Sequence, residues 1–234
     1  MRDLFRDVNP VLPGVYLLKG YADSSLLLPH LMAIVDAAPL RQMETGRGFK
    51  MSVSQTNCGK VGWVSDRRGY RYATDDPLTR RPWPEMPEVF SSMAAEAAAT
   101  ADFANFRPDA CLINRYSPGT QMGAHRDSDE QDFSQPIVSV SLGIPARFYI
   151  IGAERRGNST AIDLEDGDVV VFGGLARRYY HGVRKLKAAT DPQFGAYRWN
   201  LTFRRALCAY SFQRLIDRQK LPDYHLRSVS GKCS

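Results

Sequence analysis

The apolar residues Leu26, Leu27, Leu28, Leu31, Met32, Ile34 and Val35 recur at near-helical spacing, which predicts a helix over about 23–37. Pro29 is tolerated best in a first turn, so the pattern also admits a start a few residues later. An Ala-rich stretch of strong intrinsic helix propensity predicts a second helix over about 87–104. From residue 110 onward the pattern turns to short extended runs, with strands predicted at 110–116, 137–142, 147–151, 160–164, 168–172 and 196–204. Turn residues separate them, among them Pro118-Gly119, Gly157-Asn158, Asp166-Gly167 and Gly173-Gly174. Two helices followed by many short strands predict an α+β, mainly β chain, a sandwich or barrel buttressed by helices on one side. Residues 46–84 fit neither period. They are rich in Gly, Pro, Arg and aromatics, with a short extended piece at 51–54 and a hairpin-like run at 63–72, and read as a lid or binding surface. Beyond residue 206 the chain reads as a short helix over 210–218 and a frayed end.

Composition narrows the class. The chain has 234 residues, enough for one substantial domain, with 44% hydrophobic and 24% charged residues, which excludes a collagen-like, low-complexity or disordered polypeptide. No apolar run approaches the roughly 20 residues needed to cross a bilayer. The first residues carry acids and lack an apolar signal core, so a cytoplasmic protein with no membrane partner is predicted. Lys and Arg number 31 against 25 Asp and Glu, a net charge of +6, and such a surface attracts polyanions. Residues 206–234 hold five Lys/Arg against two Asp, half of that excess. The four cysteines are scattered without a CxxC pair, which suits a reducing compartment better than a zinc cluster or disulfide framework.

The candidate chemistry lies in the strands. His30 and His225 read as a helix-start residue and a tail residue. His125 and Asp127 form an His-x-Asp step, and alternate residues of an extended segment project to the same side. His181 follows 54 residues beyond Asp127. Two imidazoles and a carboxylate on one face of a metal leave other positions open, the arrangement of a non-haem Fe(II) oxygenase. The triplet alone is a weak signal for metal, since a His–Asp contact is more often purely structural. The strand at 196–204 adds the rest: Tyr197, Trp199, Leu201 and Phe203 share one face, and Arg198, Asn200, Thr202 and Arg204 the other. Unpaired guanidinium groups inside a sandwich cost several kcal/mol each, so an anion is expected among them. Arginine suits bidentate carboxylate recognition. A small dicarboxylate fits, one end on Arg204 and the other chelating iron near His125, Asp127 and His181. Leu112, Asn114 and Tyr116 share a strand face that offers it an amide and a phenol.

These segments resemble the AlkB family. The resemblance is carried by Asn114-Arg115-Tyr116-Ser117-Pro118-Gly119, by His125-Arg126-Asp127-Ser128-Asp129-Glu130, by Tyr180-His181-Gly182 and by the run from Arg198 to Arg204. Met51-Ser52-Val53, Thr56-Asn57-Cys58-Gly59 and Pro82-Trp83-Pro84 extend it, so that it runs to about Arg205, nearly nine-tenths of the chain. It implies one dioxygenase domain over 1–205, with a double-stranded β-helix (jelly-roll) core at 110–205, a nucleotide-recognition lid at 46–84 and a basic extension at 206–234. It implies Fe(II) on His125, Asp127 and His181, and 2-oxoglutarate on Leu112, Asn114, Tyr116, Arg198, Asn200, Thr202 and Arg204, with Arg204 on the distal carboxylate. Trp63, Tyr70, Asp129 and Arg155 correspond to substrate-binding positions.

The implied activity is oxidative demethylation of N1-methyladenine and N3-methylcytosine in single- or double-stranded DNA by a monomer. O2 and 2-oxoglutarate are consumed, and formaldehyde is released. A methylated base must leave the stack to reach a buried metal. Trp63 and the His125 ring then sandwich it, and each stacked base gains about 1–3 kcal/mol. Asp129 favours the cationic lesion over the neutral base. The same chemistry on RNA or tRNA, a 2-oxoglutarate oxygenase of a non-nucleic-acid substrate, and a nucleic-acid-binding protein without catalysis are the alternatives. Arg126, Gln55, Gln121, Phe172 and Trp199 depart from the familiar pattern, where glutamine, methionine, lysine, tryptophan and tyrosine stand. These departures bear on substrate preference.

Overall fold

The computed structural model describes residues 8–208. The predicted tail helix at 210–218 and most of the 206–234 extension lie outside the described residues. The first helix, α1 (Ser24–Ala37), starts where the wider of the two readings put it, because the Asp23 carboxylate accepts the Ser25 N–H as an N-cap. Pro29 therefore sits inside the helix and removes one backbone bond there, while Leu27, Leu31 and Ile34 bury the inner face. The second helix, α2 (Glu88–Thr100), ends before residue 104. Asp102 takes a left-handed φ of 65°, Phe103 N–H returns to the Ala98 carbonyl and Asp102 N–H to that of Ala99, a Schellman stop that Ala-rich propensity does not reveal.

Fourteen strands are described. They are β1 (Val8–Leu12), β2 (Val15–Leu18), β3 (Arg41–Glu44), β4 (Lys50–Gly59), β5 (Gly62–Asp66), β6 (Gly69–Ala73), β7 (Ala110–Tyr116), β8 (Met122–His125), β9 (Ile137–Gly143), β10 (Ala146–Gly152), β11 (Thr160–Leu164), β12 (Val169–Phe172), β13 (Tyr180–Val183) and β14 (Arg198–Arg204). An eight-stranded sheet runs β1-β2-β12-β9-β14-β7-β4-β3, and a four-stranded sheet runs β11-β10-β13-β8. From β7 onward the chain passes back and forth between the two sheets, as a jelly roll requires.

The two faces of the large sheet do different things. Its outer face packs on both helices through Cys111, Ile113, Val140, Leu201 and Phe203, with Phe90 of α2 edge-on to Phe203 at 6.0 Å. Small alanines at 94, 97 and 98 let α2 approach closely. Its inner face meets the small sheet over Val53, Tyr116, Ile137, Phe148, Ile162, Val170 and Val183.

The segment 46–84 is not one separate layer. Its residues 50–59 form β4, which pairs with β7 over six registered positions and belongs to the large sheet. The polar but buried Gln55, Thr56 and Asn57 hide that strand from a hydrophobicity pattern. The β5–β6 hairpin, at the run that reads as hairpin-like in the sequence, stands outside both the eight-stranded and the four-stranded sheet. The strands β1, β2, β3, β8 and β13, of four or five residues, were not predicted and are too short to show a period.

Candidate metal and cofactor site

The small sheet carries the two histidines. His125 ends β8, and His181 stands directly opposite it on β13, with ring centroids 4.5 Å apart. A Cβ on Gly182 would lie 2.6 Å from the Met122 carbonyl and 2.5 Å from the Tyr149 hydroxyl, so only glycine permits this approach of β13 to β8. Asp127 follows two residues after the strand end, and the ligand atoms of all three residues lie within 4.8 Å of one another. Each His Nδ1 faces a backbone carbonyl at 3.0 Å, that of Gly123 for His125 and that of Tyr179 for His181. A carbonyl only accepts, so Nδ1 bears the proton and Nε2 offers its lone pair inward. Both Nε2 atoms stand 3.9–4.0 Å from the Asp127 carboxylate, too far for direct hydrogen bonds. Burial, reinforced by His125, lowers the His181 pKa to about 4, keeping it in its neutral, ligating form. Burial alone would raise the Asp127 carboxyl, but the Arg204 guanidinium holds it below the usual carboxylate range.

The predicted cofactor residues meet this triad in one cavity. Leu112, Asn114 and Tyr116 of β7 and Arg198, Asn200, Thr202 and Arg204 of β14 line it together with His125, Asp127 and His181. Register explains the convergence: Arg198 pairs with Tyr116, Asn200 with Asn114 and Thr202 with Leu112. Met122, Ser139, Phe148 and Phe172 also line the cavity and were not predicted as site residues. The parity of the 137–142 strand carried the signal for Ser139.

Of the two arginines, Arg204 stands nearer the triad than the sequence reading put it. Arg204 Nε and Nη2 donate to Asp127 Oδ2 at 3.2 and 2.9 Å, so its guanidinium lies beside the triad. It was expected at the far end of a dicarboxylate. Arg198 is six residues away on the same face, about 20 Å along the strand. It is 1% exposed, its Nη2 donates to Ser141 Oγ at 3.0 Å, and its Nε and Nη1 have no hydrogen-bond partner among the described residues. Tyr116 lies under the guanidinium at 4.9 Å. Strand parity could place both arginines on one face but could not say which end the metal ligands would approach. Two unmatched buried donors on a group that only donates call for an acceptor-rich anion, so this cradle fits a carboxylate. The His/Asp/His donor set beside it fits a divalent iron.

Around the triad the structure adds a buried network that the sequence did not single out. Arg177 Nη2 donates to Glu130 Oε2 at 2.7 Å, and its Nη1 donates to the Asp127 backbone carbonyl at 2.9 Å. Glu130 Oε1 accepts from Tyr72 of β6 at 2.6 Å and lies 3.3 Å from Arg204 Nε. Only the sheet closure brings these four side chains together.

The predicted base-binding residues separate into two groups. Trp63 and Tyr70 stack at 5.6 Å and 13°, and Trp63 Nε1 donates to Asp129 Oδ2 at 2.7 Å. Burial raises the Asp129 carboxyl, opposed by that hydrogen bond. Arg155 lies in the exposed turn between β10 and β11, and no described hydrogen bond or ion pair joins it to the other three. His30 is an exposed residue of α1 beside Phe90 and has no place in the site.

A family model described as the 2OG-Fe(II) oxygenase superfamily matches residues 14–204. The chain is 48% identical over 212 residues to an alpha-ketoglutarate-dependent dioxygenase AlkB of Salmonella typhimurium, covering 88% of this chain and 98% of the relative. Against the protein of the same name in Escherichia coli the identity is 45% with the same coverage. A tRNA demethylase, abh1, of Schizosaccharomyces pombe is 25% identical over 78% of this chain and 71% of its own length. The solved structure of OsALKBH1 superposes with a TM-score of 0.73 at 28% identity, covering 85% of this chain and 99% of that one. With a match that spans both sheets and every residue of the triad, the chain belongs to the AlkB family of 2OG-Fe(II) oxygenases.

Proposed function

We propose that this protein oxidatively demethylates N-alkylated nucleobases of the N1-methyladenine and N3-methylcytosine type in DNA. The observation that carries the reading is one cavity holding both the His125, Asp127 and His181 triad and a buried guanidinium with two unmatched donors. Fe(II) and 2-oxoglutarate, when bound there, supply with O2 the oxidation of the N-methyl carbon to an adduct that loses formaldehyde, while 2-oxoglutarate becomes succinate and CO2.

The chain's own residues hold and orient. His125, Asp127 and His181 ligate the metal through two Nε2 atoms and a carboxylate. Arg198, with Tyr116 beside it, takes the distal carboxylate, because its donors are the ones left unmatched. Arg204, Asn114, Asn200, Thr202 and Leu112 enclose the end nearer the metal. Arg204 also neutralises Asp127, so that the carboxylate stays ionised and ready to ligate.

Tyr70 occupies one face of Trp63 and leaves the other for the extruded base. The ring of His125, whose side chain is 40% exposed, lies within reach of that base. Asp129, held by the Trp63 N–H, sets a negative charge against a cationic base. Arg155 acts as a phosphate contact from its exposed turn. Residues 46–84, which hold β4 of the large sheet and the β5–β6 hairpin that serves as the lid in this reading, carry eight Lys/Arg against three Asp, a charge suited to a nucleic-acid backbone.

The double-stranded β-helix at 110–205 and the lid form one catalytic unit over 1–205, with 206–234 as a basic extension. It acts as a monomer in the cytoplasm, where the buried Cys58 and Cys111, neither of them in a disulfide, suit a reducing setting. No described helix is long and apolar enough to cross a membrane. The likeness to a tRNA demethylase favours RNA as the second substrate class.

The test is to incubate the protein with Fe(II), 2-oxoglutarate and matched methylated DNA and RNA oligonucleotides, and to weigh the products. Loss of one methylene mass, faster on DNA, is the expected result. Faster loss on RNA reverses the order of the two substrates. No loss on either, with succinate formed on another substrate, overturns the reading.

A further inference from the structure

We propose that Gln55 is a positioning residue for 2-oxoglutarate, whose amide holds that of Asn114 with its N–H turned to the cavity. The inference rests on the cofactor reading above. Gln55 lies within β4, directly opposite Asn114 on β7, and is 1% exposed. Its Nε2 donates to Asn114 Oδ1 at 2.8 Å.

The polarity of this contact is set from the other side of the sheet. Asn200 Nδ2 donates to the Val140 backbone carbonyl at 2.9 Å and to Ser139 Oγ at 2.8 Å. A carbonyl only accepts, so the nitrogen end of Asn200 is fixed there. Its oxygen must then face Thr202 Oγ1 at 2.8 Å and Asn114 Nδ2 at 3.4 Å. With its nitrogen on that side, Asn114 turns its oxygen toward β4, where only a donor satisfies it. Gln55 is that donor.

The other end of Gln55 makes no competing bond: its Oε1 is buried and has no hydrogen-bond partner among the described residues, so the donation to Asn114 is what holds this amide. Asn114 lines the same cavity as Asp127 and Arg204. The carboxylates and keto oxygen of 2-oxoglutarate only accept, and an Asn114 turned the other way would meet them with a carbonyl. Donation from Gln55 also polarises the Asn114 N–H that faces them.

The experiment titrates 2-oxoglutarate into Mn(II)-loaded protein by calorimetry, without nucleic acid, and compares wild type with two variants. Gln55→Met keeps the bulk and removes the donor, and is expected to weaken binding about 3- to 10-fold. In turnover it should raise the KM for 2-oxoglutarate while kcat at saturation stays within about twofold. Gln55→Glu keeps the shape but places an acceptor against Asn114 Oδ1. It should bind more weakly still at neutral pH and recover as falling pH restores an O–H donor. The Gln55→Met variant carries the test if Gln55→Glu does not fold. Variants that bind 2-oxoglutarate like a wild type that itself binds it overturn the role of Gln55 alone. A wild type that takes no 2-oxoglutarate overturns the cofactor reading as well.

Discussion

Arg198 and Arg204 share a strand face, and their surroundings give them different tasks. Arg204 is balanced by Asp127 and Glu130, so its charge is already matched by the protein. Among the described residues Arg198 has Ser141 and Tyr116 beside it and no carboxylate, and burial pushes its pKa down. Arg204→Lys replaces a fork with a point charge. The expected outcome is a several-fold higher 2-oxoglutarate requirement together with weaker metal binding, because Asp127 loses its paired donors. Arg198→Lys should raise the 2-oxoglutarate requirement and leave Mn(II) affinity unchanged. Titrating each variant first with Mn(II) and then with 2-oxoglutarate separates the two, and equal behaviour would contradict the division. His181→Ala removes a ligand whose Nε2 has no substitute in the cavity, and turnover is expected to vanish. Succinate formation at the wild-type rate in that variant would exclude the triad as the metal site.

At the level of elements, the pairing of β13 with β8 decides whether there is a site at all. It puts His181 opposite His125, and it depends on the absence of a side chain at Gly182. Gly182→Ala should push the strands apart, because backbone cannot give way as a side chain does. A loss of about 1–3 kcal/mol in urea unfolding is expected, typical of overpacking, with a larger fall in Mn(II) affinity. Unfolding curves and a metal titration on the same preparation check this, and intact metal binding would show that the strands tolerate the insertion. The large sheet plays the complementary part. Its outer row of Ile113, Leu201 and Phe203 is held by the two helices, which frees the inner row to be polar. The helices and the alternating faces of β14 were legible because each has a period long enough to read. The four-residue β8 and β13 were not, and of β4 only the 51–54 piece was read, because the buried amides that follow look like a surface to a hydrophobicity pattern.

For the molecule as a whole, the relevant quantity is charge. A net +6 with eight basic residues among 46–84 predicts that affinity for a methylated oligonucleotide falls as salt rises. Fluorescence anisotropy across a salt series measures the slope, and a flat titration would separate the basic excess from substrate binding. The β5–β6 hairpin that carries Trp63 and Tyr70 is tied to the segment after β8 through Trp63 to Asp129 and Tyr72 to Glu130, so the proposed base-binding hairpin and the triad are mechanically joined.

By itself the sequence determined the residue types, the parity of the strands and the order of the motifs. Those were enough to name the triad, the polar face of β14 and the family, because each depends on spacing along the chain. The tertiary structure alone decided which arginine stands against Asp127, that Glu130, Arg177 and Tyr72 close around it, and that Gln55 extends the amide row. Those facts depend on register between strands far apart in sequence. Hydrogen-bond partners there are chosen by sheet closure, which local pattern does not encode.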